Sequence, residues 1–588
     1  MMQDKLALAR QIAQLASSRL TTEESEHLVS IINQLFIDIE HGHSCSRVDI
    51  MATSINLTCQ VILDVVTKSG IASNYSLDML DDLVPLPLSI WHTSDGSYIY
   101  ITRYLSYEVR IGRYIKQLMT ERVCFDENKF NQVSTVLTNL QHANGLPNQD
   151  QLNAILRSCQ HQLSIITGGP GTGKTTTVML LLWALFQLYS QVPKVKICAP
   201  TGKAANRVKD SIYKSLQDKQ INVDTTILKN TLRDDCFSTI HKVLGYRKNS
   251  IYFQHNHDNP LDCDILIVDE SSMIGLPLFS KLLDALNLHT IKHIIFLGDK
   301  NQLSSVEEGY VFASLVDVEV QQINYAASDL FNQFSYQPLA SYLHESKRNQ
   351  EAIALLSNAI LNNDAPLVNQ CLKDEHTQLH PPLLTEVLRT NYSSNSPLMR
   401  YLQYVQEQDS LVGSIGDLMQ KFTTQANLCM TNSGVLGSVN LNHEIERMIK
   451  IKFGFDNEWY SGRPVMILEN NYPLDLYNGD VGICLVYDGK AKIYFAEDKS
   501  FAPEVLPKFA LAYAITIHKS QGSEYEHVNV ILPHSSGEEM QSLLTRELVY
   551  TAVTRAKRSV TLFSQLDTLH LAMNNSSKRI SGLSHLLK

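Results

Sequence analysis

Apolar residues recur at helical spacing through the first part of the chain. The run from Leu28 to Ile39 repeats every three or four positions, as residues on one face of a helix do. A second apolar run covers Ile55 to Val66. Two stretches of alternating side-chain character, V-P-L-P-L-S-I-W and Y-I-Y-I-T-R-Y, then flank the turn at Asp95-Gly96, and this pattern predicts a short hairpin. Residues 1–115 therefore form, in our interpretation, a separate and mostly helical docking domain without a catalytic constellation.

The pattern changes between about 140 and 330, where short apolar runs alternate with helical stretches. Each run ends at a polar or glycine-containing turn, and the four runs are S-I-I-T, V-K-I-C-A-P, D-I-L-I-V-D and H-I-I-F-L-G. Apolar strands of this kind are typical of a parallel sheet that helices cover on both faces. Ligands bind such sheets at the carboxyl ends of the strands. We therefore expect a first α/β domain over residues 116–335.

A second α/β block follows over residues 336–588, and one part of it has a different pattern. Between about 443 and 508, stretches such as V-G-I-C-L-V-Y and A-K-I-Y-F-A alternate with turns that contain Gly and Asp. This pattern predicts a small β-barrel inserted into the second domain. The expected fold class is therefore α/β, with two parallel-sheet domains, a helical N-terminal domain and the inserted barrel.

Composition and charge narrow the function classes. The 588 residues are 44% hydrophobic and 19% charged, and the net charge of −10 argues against a surface broadly covered in basic groups. Nucleic acid is not excluded, because a narrow groove can hold a single strand with few cations. Ten cysteines without a C-x-x-C pair give little support to a zinc or iron–sulfur site. We find no signal-peptide core and no membrane-length apolar stretch, and expect a cytoplasmic protein.

The clearest chemical signal is G-G-P-G-T-G-K-T, which matches a phosphate-binding P-loop between a strand and an apolar helix. Its backbone amides can cradle phosphate oxygens, Lys174 can reach the β- and γ-phosphates, and the Thr175 hydroxyl can bind Mg²⁺. We assign ATP as the nucleotide. The predicted phosphate-contacting residues are Gly168, Gly169, Pro170, Gly171, Thr172, Gly173, Lys174, Thr175 and Thr176.

Three further residues are candidates for the hydrolytic reaction. The apolar run L-I-V ends in Asp269-Glu270, where Asp269 can bind the Mg²⁺ shell and Glu270 can deprotonate the attacking water. A strand that ends in two acids about a hundred residues after a P-loop is a strong pattern. Gln302, in G-D-K-N-Q-L, is a candidate γ-phosphate sensor.

Two arginines are candidate fingers that neutralise charge on the transferred phosphoryl group, namely Arg348 in E-S-K-R-N and Arg555 in Y-T-A-V-T-R-A-K. Gln151, one helix and a strand before the P-loop, has an amide that could pair with an adenine edge. Taken singly, each of these three residues would be a weak signal.

Hydroxyl, glycine and lysine groups in three other segments suit contacts to DNA phosphates. The segments are A-P-T-G-K-A-A-N-R, S-T-I-H-K and T-I-H-K-S-Q-G-S-E-Y. The predicted DNA-binding residues are Thr201, Lys203, His241, His518, Lys519 and Ser520.

In this order and spacing, the motifs resemble those of superfamily 1 helicases, and most closely the RecD family. The strings that carry the resemblance are I-T-G-G-P-G-T-G-K-T-T-T, A-P-T-G-K-A-A-N-R, L-I-V-D-E-S-S-M, L-G-D-K-N-Q-L, N-G-D-V-G-I, I-H-K-S-Q-G-S-E-Y and Y-T-A-V-T-R-A-K, from about Asn148 onward. The resemblance implies two RecA-like domains that sandwich ATP, with Gly522 and Glu524 also at the nucleotide. It further implies 5′-to-3′ movement on single-stranded DNA and an SH3-like inserted barrel.

The family resemblance also implies partners. It suggests docking of the N-terminal domain on a RecC-like subunit, a nuclease site in a RecB-like subunit, and action on 5′-ended strands at duplex ends in double-strand break repair. Two stretches depart from the family pattern: Asn432-Ser433 replaces a basic pair, and E-S-K-R-N has no aromatic residue next to Arg348. The alternatives are a stand-alone RecD-like helicase, which usually has a longer N-terminal region, and a structural subunit that does not hydrolyse ATP.

Overall fold

The computed structural model describes residues 2–587 except 17, 81, 219–220, 248–249, 251, 306, 324–333, 346–350, 408–414, 497–498 and 535–536. An N-terminal region is followed along the chain by two domains with parallel sheets. An antiparallel sheet is inserted into the second of these domains.

The N-terminal region combines five helices with a small sheet. Its helices are α1 (Met2–Gln14), α2 (Thr22–Glu40), α3 (Val48–Ile55), α4 (Cys59–Ser69) and α5 (Thr102–Thr120). Its strands are β1 (Ser46–Arg47), β2 (Ala72–Tyr75), β3 (Leu88–Thr93) and β4 (Gly96–Ile101), in the order β1-β4-β3-β2. The predicted hairpin is confirmed as the antiparallel pair β3–β4. The apolar run from Ile55 to Val66 is broken into two helices by Asn56, whose φ is 53°.

The first α/β domain is built on a six-stranded parallel sheet; it and the second α/β domain are called the motor domains below, after the family that the sequence resembles. Its strands are β5 (Leu163–Gly168), β6 (Val195–Ala199), β7 (Phe237–Thr239), β8 (Ile265–Val268), β9 (His293–Gly298) and β12 (Ala340–Leu343), and β10 (Glu319–Ile323) pairs separately with β11 (Phe334–Pro338). Its helices are α6 (Glu127–Asn144), α7 (Gln149–Gln160), α8 (Lys174–Leu188), α9 (Gly202–Gln217), α10 (Thr226–Thr231), α11 (Ile240–Val243), α12 (Leu276–Asp284) and α13 (Val311–Val316).

The order β12-β5-β9-β8-β6-β7 confirms the predicted parallel sheet, and all four apolar runs are strands in it. Strands β5 and β9 are buried at every position because helices cover both faces of the sheet. The edge strand β12 pairs with β5, so this sheet extends past the boundary predicted at residue 335.

The second motor domain has a five-stranded parallel sheet in the order β13-β22-β21-β14-β20. Its strands are β13 (Thr377–His380), β14 (Gln425–Cys429), β20 (Ala514–Thr516), β21 (Tyr525–Ile531) and β22 (Ala556–Phe563). Its helices are α14 (Glu351–Leu361), α15 (Ala365–Cys371), α16 (Leu384–Tyr392), α17 (Pro397–Glu407), α18 (Ile415–Phe422), α19 (Ser438–Phe453), α20 (Glu538–Leu543), α21 (Arg546–Val553) and α22 (Leu566–Asn574).

The inserted segment forms an antiparallel sheet in the order β18-β17-β16-β15-β19. Its strands are β15 (Pro464–Ile467), β16 (Val481–Tyr487), β17 (Lys490–Ala496), β18 (Lys499–Phe501) and β19 (Phe509–Leu511). The strands therefore begin later than the predicted start at residue 443, which lies inside helix α19. The ladders establish five antiparallel strands, and closure of this sheet into a barrel stays a prediction.

The last helix, α23 (Leu583–Leu587), returns to the N-terminal region and packs on α5. Leu583, Leu586 and Leu587 share one hydrophobic core with residues of that region and of the first motor domain. Within the described part of the chain, no single helix has the length and apolarity to cross a membrane. Helices α3 and α4, with a bend of 102° between them, reach that length and apolarity only when they are taken together.

Candidate functional site

The P-loop connects the buried strand β5 to helix α8. Gly171 and Gly173 have φ angles of +82° and +79°, a left-handed conformation that glycine adopts at little cost. No side chain caps the start of α8, so the first amides of the helix remain available to an anion. Lys174 Nζ donates to the carbonyl oxygens of Gly168 at 2.5 Å and Gly169 at 3.2 Å. The lysine is therefore folded over the loop at the place where phosphate would lie.

Both motor domains line a single pocket above this loop. From the first domain come P-loop residues 169–176 and the side chains of Arg207, Asp269, Glu270 and Gln302. From the second domain come Glu524 and Arg555. The structure thus brings together most of the residues predicted for ATP hydrolysis, although they lie up to about 400 positions apart in sequence.

The two predicted acids occupy an unusual turn at the end of β8. Glu270 has φ +52°, a region that non-glycine residues rarely adopt, and the short 3-10 helix Ser271–Met273 follows it. Burial raises the pKa of Asp269, the carboxylate of Glu270 raises it further, and Lys174 opposes the shift. Two carboxylates held this close favour a cation between them and the phosphates. Asp269 and Thr175 both line the pocket and carry hard oxygen atoms, the ligand type that Mg²⁺ prefers.

Two buried polar atoms at the pocket lack a partner among the described residues, namely Arg555 Nη2 and Gln302 Oε1. The rest of the Arg555 guanidinium is held in place, because Nε donates to Thr551 O at 3.1 Å and Nη1 to Ser523 O at 3.2 Å. Gln302 Nε2 donates to Asp299 Oδ2 at 3.2 Å. Arg555 is only 1% exposed, and burial lowers its pKa. An unpaired buried donor is costly, which indicates that a ligand completes this site.

Two contributors to the pocket were missed by the sequence analysis. Arg207, on α9, forms an ion pair with Glu524 of the second domain, so it joins the two sides of the pocket. Burial lowers the pKa of Arg207, but Glu524, Glu270 and Asp269 more than compensate and raise it. Its position at the end of A-P-T-G-K-A-A-N-R was the only available signal, and an arginine on a helix usually lies at the surface.

Tyr550 is the second residue that was missed. Its hydroxyl donates to Asp299 Oδ2 at 3.0 Å, and a side chain at Gly169 would collide with that hydroxyl. Tyr550 belongs to the second domain, whereas Asp299 follows β9 of the first. Nothing in the sequence around Tyr550 indicates this contact.

Gln151 lies directly beside the P-loop. Its Nε2 donates to Thr172 O at 3.0 Å, and its Oε1 accepts from the Asn148 amide at 2.9 Å as part of the cap of α7. The side chain supports the P-loop in this state, and pairing with adenine stays a prediction. Arg348, the other predicted finger, lies outside the described residues.

The predicted DNA contacts lie in the segments, mostly the first turns of helices, that follow the carboxyl ends of strands in both domains. Thr201 caps α9 and Lys203 follows it after β6, while His241 follows the neighbouring strand β7. His518 and Lys519 follow β20 in the second domain. Ser520 differs, because it is fully buried and donates its hydroxyl to Ile517 O at 2.7 Å. Its hydroxyl is therefore not available to a strand at the surface, contrary to the prediction.

Other residues near these segments have structural roles. A side chain at Gly202 would collide with the ring of Tyr477, so the inserted sheet lies directly against the start of α9. Asn432, where the family has a basic residue, accepts a hydrogen bond from the Ser438 hydroxyl at 3.0 Å and helps to begin α19.

Two family models match parts of the motor domains. The AAA domain family matches residues 151–308, and the UvrD-like helicase C-terminal domain family matches residues 511–563. Among solved structures, Bacteroides Pif1 bound to ssDNA has a TM-score of 0.39 and 15% identity, covering 72% of this chain and 93% of that one.

Curated relatives cover more of the chain at higher identity. The RecBCD enzyme subunit RecD of Haemophilus influenzae is 33% identical over 480 residues, covering 74% of this chain and 72% of that protein. The same subunit of Mycolicibacterium smegmatis is 32% identical, covering 75% of each chain. The ATP-dependent RecD2 DNA helicase of Deinococcus radiodurans is 27% identical, covering 70% of this chain and 48% of that protein. With this similarity over about three quarters of its length, the chain belongs to the RecD family of ATP-dependent DNA helicases.

Proposed function

We propose that this chain is the 5′-to-3′ DNA motor of a RecBCD-type helicase–nuclease, in which a RecB-like partner carries the nuclease and a RecC-like partner receives the N-terminal region. The observation that carries the proposal is the pocket shared by both motor domains, where Arg555 Nη2 is buried without a partner among the described residues. Closure on ATP would satisfy that donor, so that nucleotide binding and domain movement are linked.

Each residue of the pocket has a specific task in this proposal. Lys174 would leave the carbonyl oxygens of the P-loop and bind the β- and γ-phosphates. Glu270 would accept the proton of the attacking water, and Arg555 would neutralise charge on the transferred phosphoryl group. Gln302 would orient the γ-phosphate or the water through its unpaired Oε1 and its amide. Glu524, released from Arg207 by the phosphates, would become available to the nucleotide.

The residues at the pocket fit Mg²⁺, with the Thr175 hydroxyl and the Asp269 carboxylate as its protein ligands. The ion would supply Lewis-acid stabilisation of the phosphate charge. Asp269 is suited to this position because its buried carboxylate gains most from a compensating cation.

Movement along DNA would use the segments that carry Thr201, Lys203, His241, His518 and Lys519. They belong to different motor domains, so opening and closing of the ATP pocket would change the distance between the two sets of contacts. Backbone phosphates would supply much of the affinity, which makes single-strand binding sensitive to salt. A cytoplasmic location is part of this proposal, because the DNA substrate is there.

The variant Lys174→Gln tests the motor assignment. We expect it to lose DNA-stimulated ATPase activity and unwinding while its folding and assembly are retained, since within the described part of the chain the hydrogen bonds of Lys174 go to two P-loop carbonyls. Lys196→Gln is the matched control, because Lys196 lies outside the pocket and donates to Asp235 O at 3.2 Å. ATPase activity at the wild-type level in Lys174→Gln would refute the proposed P-loop mechanism, whereas a wild-type chain without DNA-stimulated ATPase activity would leave the structural-subunit alternative.

A stand-alone helicase is the second candidate, and the similarity to the Deinococcus radiodurans RecD2 helicase favours it. Purification of the tagged chain from its native cells separates the two. Co-purification of RecB-like and RecC-like chains would support the subunit assignment, whereas a monomer that unwinds DNA processively without partners would support the alternative.

A further inference from the structure

The chain after helix α22 forms a strap, residues 575–587, that leaves the second motor domain and crosses to the rest of the molecule. On the second domain, Ser576 Oγ and Ser577 N donate to the carboxylate of Glu547 at 3.0 and 2.8 Å. Further on, Ile580 N donates to His43 Nδ1 at 2.8 Å, and Ser44 N donates back to Ile580 O at 3.1 Å. The strap is therefore fixed at both ends, to different domains.

Arg579 lies between these two anchors and contacts the first motor domain. Its guanidinium donates to the carbonyl oxygens of Ser305 at 2.5 Å, Glu307 at 2.7 Å and Gly309 at 3.0 Å. It also lies so close to Gly42 of the N-terminal region that a side chain there would collide with it. One planar cation thus joins three backbone carbonyls of a single loop, which a lysine could not do with the same geometry.

The loop that Arg579 binds is continuous with the γ-phosphate sensor. Gln302 begins it, and Leu303 is held by the second domain on both sides, since its amide donates to Thr551 Oγ1 at 2.9 Å and its carbonyl accepts from Gln521 at 2.9 Å. The three carbonyls bound by Arg579 follow within a few residues. The backbone that follows Gln302 is therefore held at two successive points, by the second domain at Leu303 and by Arg579 from Ser305 onward.

The strap also limits movement at this point. Ser577, bound to the second domain, is two residues from Arg579, bound to the first, and two residues span at most about 7 Å. This short connection therefore limits separation of the motor domains beside the sensor loop unless one anchor is released.

We propose that Arg579 is a positioning residue for ATP hydrolysis, which holds the loop of Gln302 in register with the two motor domains. This inference rests on the proposed role of Gln302 as sensor. Arg579 does not line the ATP pocket, so its effect should be on turnover and not on nucleotide binding.

Steady-state ATPase assays on the full-length chain with single-stranded DNA test this role. Arg579→Ala should lower kcat by about tenfold to a hundredfold, with little change in the KM for ATP, because small displacements of a catalytic group have effects of that size. Arg579→Lys should recover part of kcat, since it restores the charge but not the three-carbonyl geometry. Arg579→Lys also keeps the test valid if Arg579→Ala does not fold.

Ser581→Ala is the matched control, because Ser581 lies two residues further along the strap and contacts Glu108 instead of the loop. It should retain wild-type kcat. Wild-type kcat in both Arg579 variants would overturn the inference, and so would an equal loss in Ser581→Ala at equal thermal stability. Lys174→Gln, run in parallel, distinguishes this failure from failure of the motor assignment: an inactive Lys174→Gln with an active Arg579→Ala refutes only the positioning role.

Discussion

The ATP pocket and the site of Glu108 are both buried and polar, but they differ in how completely their hydrogen bonds are made. In the pocket, Arg555 Nη2 and Gln302 Oε1 have no partner among the described residues. Glu108 is also fully buried, yet its Oε1 accepts from the hydroxyls of Ser44 and Ser581, both at 2.6 Å. Its Oε2 accepts from Tyr100 and from the Gly582 amide, at 2.9 and 3.1 Å.

This difference separates a site prepared for a ligand from a junction that the protein completes by itself. A buried donor without a partner costs free energy that only a ligand can recover, whereas four donors around one carboxylate hold two distant parts of the chain together. Substitutions in the pocket should therefore affect catalysis more than stability, and substitutions at Glu108 should do the reverse.

The largest effect is expected for Arg555→Ala. Loss of the proposed finger should reduce single-turnover ATP hydrolysis by about 10³-fold or more, measured per folded molecule because the truncation also removes the hydrogen bonds to Thr551 O and Ser523 O. Arg558→Ala is the control, since Arg558 is exposed and pairs with Glu526 at 2.8 Å. A loss of less than tenfold in Arg555→Ala would mean that another group, such as Arg207 or Arg348, acts as the finger.

Glu108→Gln should lower the stability of the protein and leave its ATPase activity nearly unchanged. An amide cannot accept from all four donors, so the free energy of unfolding should fall by about 1–3 kcal/mol, as measured by urea denaturation, with near-normal ATPase activity per folded molecule. A loss of activity without a loss of stability would contradict the comparison.

The same variant should alter the pH dependence of stability. Burial raises the pKa of Glu108, although its hydrogen bonds oppose the shift. The native state then binds the proton more readily than the unfolded state, so this group's contribution to stability falls as pH rises from the ordinary glutamate pKa through the raised native value. Glu108→Gln should lack that component, which urea midpoints measured across the acidic range would detect.

Tyr550→Phe should have the smallest effect. We expect it to change both stability and catalysis, each to a small extent. It removes the donor to Asp299, a buried carboxylate whose pKa is raised by burial and lowered by Lys174. We expect a loss of about 1 kcal/mol in the free energy of unfolding and a modest fall in kcat. An unchanged kcat would show that the contact with Asp299 contributes only to packing.

Local patterns in the sequence predicted much of this molecule. The four apolar runs of the first motor domain became parallel strands, and the P-loop with Asp269-Glu270 lies at their carboxyl ends because a segment that follows a strand begins at that strand's carboxyl end. What was missed depends on contacts between distant parts of the chain. The ion pair of Arg207 with Glu524, the hydroxyl of Tyr550 and the strap around Arg579 have no local signature.

Two features differ from the predictions or go beyond them, for identifiable physical reasons. The hydroxyl of Ser520 is turned inward to Ile517 O, which no pattern of polar residues could indicate. The N-terminal region is mostly helical, as predicted, but its sheet has more strands than the expected hairpin, because the short strand β2, A-S-N-Y, pairs in parallel with β3 without an alternating pattern of its own.

The position of helix α23 has a consequence for biosynthesis. Its leucines complete a core that contains Trp91, Tyr100 and Ile111, so that core cannot close until residues near 583 have been translated. At about 5–20 residues per second, the N-terminal apolar surface would remain uncovered on the ribosome for on the order of a minute. A chaperone or an early-binding partner subunit would have to protect it during that interval.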